Sequence, residues 1–346
     1  MTKHTNRRSA VVSATALAAV AVALAGCSSN AGAATSSPSS SNGGTLQIAY
    51  LSFAVANSYD APMLAAAQAE ADDSNAKLTV FDANNDPQAQ FSQLQDAITS
   101  GKYQGIITQP ILGTALAGQV QQAIAQGIKV VNIDQILGSD LSTNKVQVKG
   151  LSANVTFVPT DIGTQLGQQV IEACASRNLD PCNVGYLYDI KASALDVAMN
   201  KSFLAATSST PAVKIVAEGE DFFTPANGLK AVQDMLQSHP ELNLIVGSDQ
   251  GLQGAVQALS ATNKTGKVLL VGFGGSAAAV KGVGSGDWYS DVAQAPATEG
   301  RLGVRALVQA IRNGTDGASI DPFAKLPNHG LITKDNAKEF VPEWPG

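Results

Sequence analysis

The sequence is poor in the residues on which most enzyme chemistry depends. Of 346 residues only 3 are histidine and 3 are cysteine. His239 precedes Pro240 at the end of a predicted helix, where a capping role is expected, and His329 follows no predicted strand. A Ser–His–Asp nucleophile therefore has little support, and no His or Cys spacing is typical of a zinc site. We expect a protein that is not an enzyme and needs no metal or cofactor.

Charged side chains are also scarce. They make up 14% of the chain, and the formal net charge is −6, whereas an average soluble protein has about 25% charged residues. The part predicted to fold has no cluster of Lys and Arg, and contacts from such clusters to phosphates supply most of the affinity for nucleic acids. We therefore expect no nucleic-acid partner and no electrostatic attachment to a membrane surface.

The glycine-rich loops that bind phosphates are missing as well. Neither G-x-G-x-x-G after the first predicted strand nor G-x4-G-K-[ST] occurs. The stretch Asp82-x-Asn84-x-Asp86 is similar to the start of a calcium loop, but it has Pro87 at the sixth position and Gln93 in place of the closing Glu. Helix capping by Asp86 is the interpretation we favour over calcium binding.

The N-terminus has the pattern of a processing segment. Basic residues come first, at Lys3, Arg7 and Arg8, and an apolar stretch follows from Ala10 to Ala25. The stretch ends in Leu24-Ala25-Gly26-Cys27, which resembles the lipobox of bacterial lipoproteins. A plain secretory signal and a membrane anchor are the alternatives. A plain signal needs no cysteine there, and the stretch is short for a span of about 20 residues.

These features predict a lipid-anchored protein outside the cell's cytoplasm. We expect a signal peptide over 1–26, a lipid on Cys27, and a flexible Ser/Gly/Ala-rich tether over 27–44 that holds the protein at the outer face of the cytoplasmic membrane. The remaining cysteines, Cys174 and Cys182, are expected to form a disulfide in an exported chain, with two free thiols as the alternative.

From Thr45 onward, short β-branched runs alternate with longer Ala- and Gln-rich stretches. Strands are predicted at 46–50, 78–81, 105–108, 129–133, 183–187, 213–216, 242–246, 267–271 and 290–293. Helices are predicted at 61–73, after Pro87, and at 115–126, 194–207, 226–238, 250–262 and 298–312. This alternation predicts an α/β protein with two similar doubly wound parallel-sheet lobes and a boundary near 148–158. The pattern alone does not assign the last helix to a lobe.

Ligands of doubly wound sheets bind outside the carboxyl ends of the strands. The side chains that follow the predicted strands are Ser52, Phe53, Gln109, Asp134, Gln135, Phe223, Ser248, Asp249, Phe273 and Gln294. They are amides, acids, hydroxyls and aromatics, without Lys or Arg. Such a set suits a small polyhydroxylated ligand, because amides and carboxylates bind hydroxyls while aromatic faces cover C–H surfaces.

Each of these candidates also has a structural interpretation. Asp134 and Asp249 could cap the helices that follow them, and Phe273 could belong to the core. Asp60 and Asp196 are further candidate acids in the binding site, but acids at helix starts commonly serve the helix dipole.

Several segments in order resemble the periplasmic sugar-binding proteins of the ribose/galactose type, which are substrate-binding components of ABC importers. The segments are Asn57-Ser-Tyr59, 80–87, Val130-Val-Asn-Ile-Asp134, 244–249, Val271-Gly-Phe-Gly274 and 292–294. The resemblance implies the type I periplasmic binding fold, with crossings between the lobes near 152–157, 294–297 and 321–327. It implies lobes formed by 45–153 plus 296–322 and by 156–293 plus 325–346.

The resemblance also implies roles for individual residues. Tyr59 and Phe223 would stack on the sugar ring, with Phe273 beside it. Side chains implied to bind hydroxyls are Asn57, Gln109, Asp134, Ser248, Asp249 and Gln294. The lobes of this family close on the ligand by hinge bending, and a membrane permease recognises the closed form.

Departures from the family pattern concern mainly arginine. Gln135 stands where the ribose binders have Arg, no Arg occurs over 193–203, and Gly274 replaces an acid. We therefore expect a monomeric ABC-importer receptor for a neutral monosaccharide or sugar alcohol. A sensory receptor of the same fold, for a carbohydrate or an amine-bearing ligand, is the alternative, followed by an exported hydrolase.

Overall fold

The computed structural model describes residues 44–346. The predicted signal peptide, the lipid on Cys27 and all but the last residue of the predicted tether lie outside these residues. No helix within 44–346 is both long enough and apolar enough to cross a membrane.

The described residues form strands and helices in alternation. The strands are β1 (Leu46–Ser52), β2 (Ala76–Asp82), β3 (Gly105–Thr108), β4 (Lys129–Asp134), β5 (Ala153–Thr156), β6 (Cys182–Tyr188), β7 (Val213–Glu220), β8 (Leu244–Ser248), β9 (Leu269–Gly274), β10 (Ser290–Ala293), β11 (Ala318–Ile320) and β12 (Leu331–Thr333). The helices are α1 (Asp60–Asp73), α2 (Pro87–Thr99), α3 (Gly113–Ala125), α4 (Pro159–Ser176), α5 (Ala194–Thr207), α6 (Pro225–Ser238), α7 (Asp249–Ala261), α8 (Ala277–Ser285) and α9 (Pro296–Asn313).

The strands form two six-stranded sheets. The first has the order β11-β5-β4-β3-β1-β2 and is parallel throughout. The second has the order β12-β10-β9-β8-β6-β7 and is parallel except for the antiparallel pair β10–β12. The fold is therefore the predicted pair of doubly wound α/β sheets. We refer to the first sheet with its helices as the first lobe, and to the second sheet with its helices as the second lobe.

The central strands are continuous apolar runs because helices cover both faces of each sheet. All four residues of β3 are buried, as are all five of β8. The first lobe has two cores, one beneath α1 and α9 and the other beneath α2 and α3. The second lobe likewise has one core beneath α4 and α5 and another beneath α6, α7 and α8.

Helix α9 packs on α1 and on strands β3, β4 and β5, so it covers the first sheet although it follows the last parallel strand of the second. Two glycines allow this close approach. A Cβ at Gly300 would lie 2.1 Å from the carbonyl oxygen of Met63, and one at Gly303 would lie 2.5 Å from Cγ2 of Ile133. The chain therefore returns to the first lobe immediately after β10.

Some elements were not predicted. Helix α4 is rich in polar residues and contains Gly163 and Gly167, which lowers its helical signal. The glycines let α4 pack tightly on α5, because a Cβ at Gly163 would lie 2.1 Å from the carbonyl oxygen of Met199. Strands β11 and β12 have only three residues each and pair at sheet edges.

In the structure the Sγ atoms of Cys174 and Cys182 lie 2.10 Å apart, and this disulfide joins the end of α4 to the start of β6.

Candidate ligand-binding site

A cavity lies between the two lobes, at the carboxyl ends of both sheets. Its walls consist of five aromatic rings, four amides, two acids, one serine and one leucine. They are formed by Phe53, Asn57, Tyr59, Asp60, Asp134, Gln135, Phe157, Leu195, Phe223, Ser248, Gln250, Phe273 and Gln294. All the side chains predicted from the sequence to bind ligand are in this set, except Ser52, Gln109, Asp196 and Asp249.

Two acids of the first lobe face the cavity and share one amide. The Gln109 Nε2 group donates to Oδ1 of Asp60 over 2.6 Å and to Oδ2 of Asp134 over 3.1 Å. Its Oε1 accepts from the backbone N–H of Phe53 over 3.1 Å. Gln109 is completely buried behind the wall and its amide is already engaged. The structure therefore makes it a support for the two carboxyl groups rather than a direct contact for ligand hydroxyls.

The backbone of Asp134 has φ +63°, in the left-handed region, where β4 ends. Asp tolerates this conformation better than most residues, since its short side chain bonds locally. Burial raises the pKa of Asp134 to about 7, against the lowering effect of its bond to Gln109. Burial, and then the charge of Asp134, raises the pKa of Asp60 well above its usual range. Both carboxyl groups are therefore harder to ionise than an exposed Asp.

A third acid, Glu299 on α9, lies behind Tyr59. The Tyr59 hydroxyl donates to Oε1 of Glu299 over 3.3 Å. Burial, followed by the charge of Asp134, raises the pKa of Glu299 well above its usual range. The other Glu299 oxygen and the hydroxyl of Tyr50 find no hydrogen-bond partner among the described residues. Sequence reasoning missed Glu299 because it follows no strand end.

Asp249, which the sequence predicts to bind ligand, is not among the residues that line the cavity. Ser248 caps α7, and Asp249 is the first residue of that helix. Its carboxylate accepts from the backbone N–H of Ser276 over 2.7 Å and lies against Gly274, where a Cβ would be 2.6 Å from Cγ of Asp249. Asp249 is completely buried and holds the loop after β9 instead of lining the cavity.

Asp196 also turns away from the cavity. It is the third residue of α5, whose N-cap is Ser193. Its carboxylate accepts from the backbone N–H groups of Asp189 and Ile190 over 3.1 and 2.9 Å, and from the Ser193 hydroxyl over 2.8 Å. These bonds fix the loop after β6, and the place of Asp196 in the first turn of α5 suits the helix-dipole role that was the alternative for this acid.

The second wall has its own acid, which the sequence did not indicate. Ser248 lines the cavity and donates to Oδ2 of Asp221 over 3.1 Å. Asp221 also accepts from the backbone N–H of Phe223 over 2.7 Å, in a loop where Phe223 has φ +56°. Burial raises the pKa of Asp221 to about 7. Asp221 thus orients two cavity residues from behind.

Aromatic rings from both lobes meet across the cavity. The rings of Phe53 and Phe223 lie edge to face with centroids 6.1 Å apart, and Phe273 is a further wall. A second contact between the lobes joins Gln250 Nε2 to Oδ1 of Asn57 over 3.4 Å. Because these side chains of the two lobes touch, the cleft between the lobes is closed in this structure.

Three cavity residues were missed by sequence reasoning. Phe157 follows β5, which was not predicted as a strand because it lies in the stretch interpreted as the boundary between the lobes. Gln250 follows Asp249 directly, and Leu195 neighbours Asp196, so both lie one position from a residue that was chosen. At the start of a helix, neighbouring residues point in directions about 100° apart, since the helix has 3.6 residues per turn.

The calcium-like stretch serves helix capping. Asp86 Oδ1 accepts from the backbone N–H groups of Gln88 and Ala89 at the start of α2, over 2.8 and 3.1 Å. Asp82 Oδ1 accepts from the N–H groups of Val55 and Asn84. Within 44–346 no group of His, Cys, Asp and Glu has the arrangement of a metal site.

Two further side chains lie away from the cavity. Trp288 is buried in the second-lobe core, and His239 is the C-cap of α6.

Comparison with known proteins places this cavity in a family context. Residues 48–316 match the family described as periplasmic binding protein domain. The chain is 27% identical over 255 residues to the D-allose-binding periplasmic protein of Escherichia coli, covering 72% of this chain and 78% of the relative. It is 27% identical over 265 residues to the xylitol-binding protein of Mycolicibacterium smegmatis, covering 76% and 70%.

Solved structures share the fold. The Caulobacter myo-inositol binding protein bound to myo-inositol superposes with a TM-score of 0.73 at 22% identity, covering 86% of this chain and 96% of that one. An ABC transporter solute binding protein of Mycobacterium smegmatis with bound glycerol superposes with a TM-score of 0.71 at 24% identity, covering 88% and 100%.

Proposed function

This chain belongs to the periplasmic binding protein domain family, and we propose that it is the extracytoplasmic solute-binding component of an ABC importer. Its ligand is a neutral monosaccharide or a sugar alcohol, held between the two lobes. The names of the relatives, a D-allose-binding and a xylitol-binding protein, support this ligand class. The protein binds and delivers its ligand and catalyses no reaction on it.

The observation that carries this proposal is the chemistry of the cavity walls. Phe53, Phe223 and Phe273 provide apolar faces that suit the C–H surfaces of a carbon skeleton. Asn57, Gln135, Gln250 and Gln294 offer both donors and acceptors, and the two acids of the first lobe offer further acceptors and, when protonated, donors. These groups can bond several hydroxyls at once.

The charge of the cavity favours a ligand without negative charge. Its acids are Asp60 and Asp134, whose carboxyl groups are either neutral or negative, and neither Lys nor Arg is among the lining residues. A sugar acid or sugar phosphate would bury a negative charge beside these acids without a compensating cation, which is costly. Gln135 stands where the ribose binders of the family have Arg, so this position supplies no cation.

Closure of the lobes would couple to ligand binding. The contacts Phe53–Phe223 and Asn57–Gln250 join the two walls, and an opened cleft lacks both. A ligand that contacts both walls favours the closed arrangement by its differential affinity for it. The closed form then offers the permease a surface that the open form lacks.

The attachment to the membrane is proposed from the sequence. Leu24-Ala25-Gly26-Cys27 supports processing before Cys27 and lipidation of its side chain. Residues 27–44 then tether the protein to the outer face of the cytoplasmic membrane. The proposed receptor is a monomer. An exported location also agrees with a disulfide between Cys174 and Cys182.

Thermal unfolding of the purified protein with pentoses, hexoses and sugar alcohols tests the ligand class. A ligand at 100 times its dissociation constant stabilises by about 2.7 kcal/mol, which raises the melting temperature by several degrees. We expect such a rise with one or a few of these compounds and a much smaller one in Asp134→Ala. The matched control, Asp335→Ala, changes an exposed acid. A rise with amino acids or nucleosides and with no carbohydrate would contradict the proposed ligand class.

A further inference from the structure

The last residues of the chain contact both lobes beside the cavity. We call residues 343–346 the C-terminal strap. The strap lies beyond residues 48–316, the part that matches the family. It contains Trp344, one of the 2 tryptophans of the chain, which is buried.

On the second lobe, the strap binds the loop after β9 and the start of α8. The indole Nε1 of Trp344 donates to the carbonyl oxygen of Gly274 over 2.7 Å. The backbone N–H groups of Ala277 and Ala278 donate to the carbonyl oxygens of Trp344 and Pro345 over 2.9 and 3.3 Å. These N–H groups lie in the first turn of α8 and have no partner within the helix. The strap therefore completes this helix terminus.

On the first lobe, the strap binds the start of α9 and a wall of the cavity. The carboxylate of Glu343 accepts from the backbone N–H of Thr298 over 2.8 Å and from its hydroxyl. The ring of Trp344 meets the ring of Tyr59 nearly at right angles, with centroids 5.3 Å apart. Tyr59 lines the cavity, whereas Trp344 does not.

We propose that Trp344 is a positioning residue for ligand binding. Trp344 holds the Tyr59 ring in the cavity wall, and the surroundings of Trp344 change when the lobes move. Besides its backbone N–H bond to Asn57 and its packing on the first-lobe core, Tyr59 has two contacts that orient its ring, the hydroxyl bond to Glu299 and the edge-to-face contact with Trp344. The hydroxyl bond is long at 3.3 Å, so the ring contact carries much of the orientation. The indole N–H of Trp344 is bonded to Gly274 of the second lobe, whereas its ring contacts Tyr59 of the first lobe. Opening of the lobes therefore alters at least one of these two contacts.

The ligand-independent half of this inference is tested by hydrogen exchange of the purified protein. Trp344→Leu keeps apolar bulk but removes both the aromatic edge and the N–H donor, while Trp344→Phe keeps an aromatic ring. We expect faster exchange of amides in residues 54–62 in Trp344→Leu and partial return of protection in Trp344→Phe. The β3 strand serves as the internal control, with unchanged exchange in both variants. Equal protection of residues 54–62 in all three proteins would overturn the inference.

The second half uses fluorescence and rests on the proposed solute-binding function. Because the chain has 2 tryptophans, Trp288→Phe leaves Trp344 as the only one, and Trp344→Phe leaves the core residue Trp288. Xylitol and D-allose are the probes. We expect the emission of Trp344 to change when a probe binds and that of Trp288 to stay constant. We also expect Trp344→Leu to weaken binding by at least about threefold, the scale of one lost aromatic pair.

The outcomes separate the two proposals. If a probe binds while Trp344 emission stays constant and Trp344→Leu binds as tightly as the wild type, the positioning role is wrong and the solute-binding function stands. If neither these probes nor other carbohydrates bind, the solute-binding function fails, and the exchange of residues 54–62 alone decides whether Trp344 holds Tyr59. If Trp344→Leu does not fold, the emission of Trp344 in Trp288→Phe and the exchange in Trp344→Phe decide.

Discussion

At the scale of single residues, the support of the cavity acids depends on one buried amide. Gln109 donates to both Asp60 and Asp134 from the same nitrogen. Gln109→Glu replaces that nitrogen by an oxygen and places a third acid between two others, at a site without exposure to water. We expect the free energy of unfolding to fall by about 2 kcal/mol or more, as for a buried group that loses its partner.

Urea unfolding measures this change, and the same substitution at the exposed Gln122 serves as the control. Ligand-induced stabilisation should fall as well, because the two acids lose their common orientation. Equal unfolding midpoints for Gln109→Glu and Gln122→Glu would show that the amide does not support the acids.

Strand ends could be read from the sequence at this scale, but side-chain directions could not. Asp134, Phe223 and Gln294 were chosen because they follow strands, and they line the cavity. Asp249 and Asp196 follow strands or start helices in the same way, yet they bond backbone N–H groups of neighbouring loops. Those loops are brought near by the fold, so no local pattern distinguishes a capping acid from one that faces the cavity.

At the scale of helices, the two glycines of α9 determine how closely it can pack on the first lobe. Gly300→Ala would put a Cβ 2.1 Å from the carbonyl oxygen of Met63, where the backbone of α1 must move. We expect this substitution to lower the free energy of unfolding by about 1–3 kcal/mol through overpacking. Gly118→Ala in α3 is the matched control, because its Cβ would meet nothing within 4 Å.

Chemical unfolding of the two variants separates packing from helix propensity. Gly118→Ala should raise stability by roughly 0.5–1 kcal/mol, since alanine restricts the unfolded chain and favours the helix. A gain in stability from Gly300→Ala as well would mean that α9 does not pack against α1 at this distance.

The alternation of strands and helices could be read from the sequence pattern, whereas only the family resemblance implied the lobe to which α9 belongs. A helix after β10 reads alike in either lobe, because both sheets offer the same apolar faces. The information lies in the spacing of Gly300 and Gly303, which has meaning only once α1 and β4 are in place beneath them. Helix α4 shows the reverse, since the glycines that allow its packing weaken its local signal.

At the scale of the whole molecule, buried acids without cations should make stability depend on pH. Burial raises the pKa values of Asp134 and Asp221 to about 7, and those of Asp60, Asp189, Asp291 and Glu299 also rise. None of the ion pairs among the described residues includes one of these acids. The folded chain thus retains protons that the unfolded chain releases near its ordinary Asp and Glu pKa, about 4.

The sign of the effect follows from this proton difference. A raised carboxyl pKa contributes stability that is fully present below the unfolded pKa and is lost as the pH rises through the folded pKa. We therefore expect the free energy of unfolding to fall between about pH 4 and pH 7, by about 1.4 kcal/mol per pH unit for each proton retained. Urea unfolding at pH 5, 6, 7 and 8 measures the slope. Asp134→Asn should remove the part of this slope that corresponds to about one retained proton, and Asp335→Asn, at an exposed acid, is the control. A free energy of unfolding that rises from pH 5 to pH 8 would contradict the retained protons.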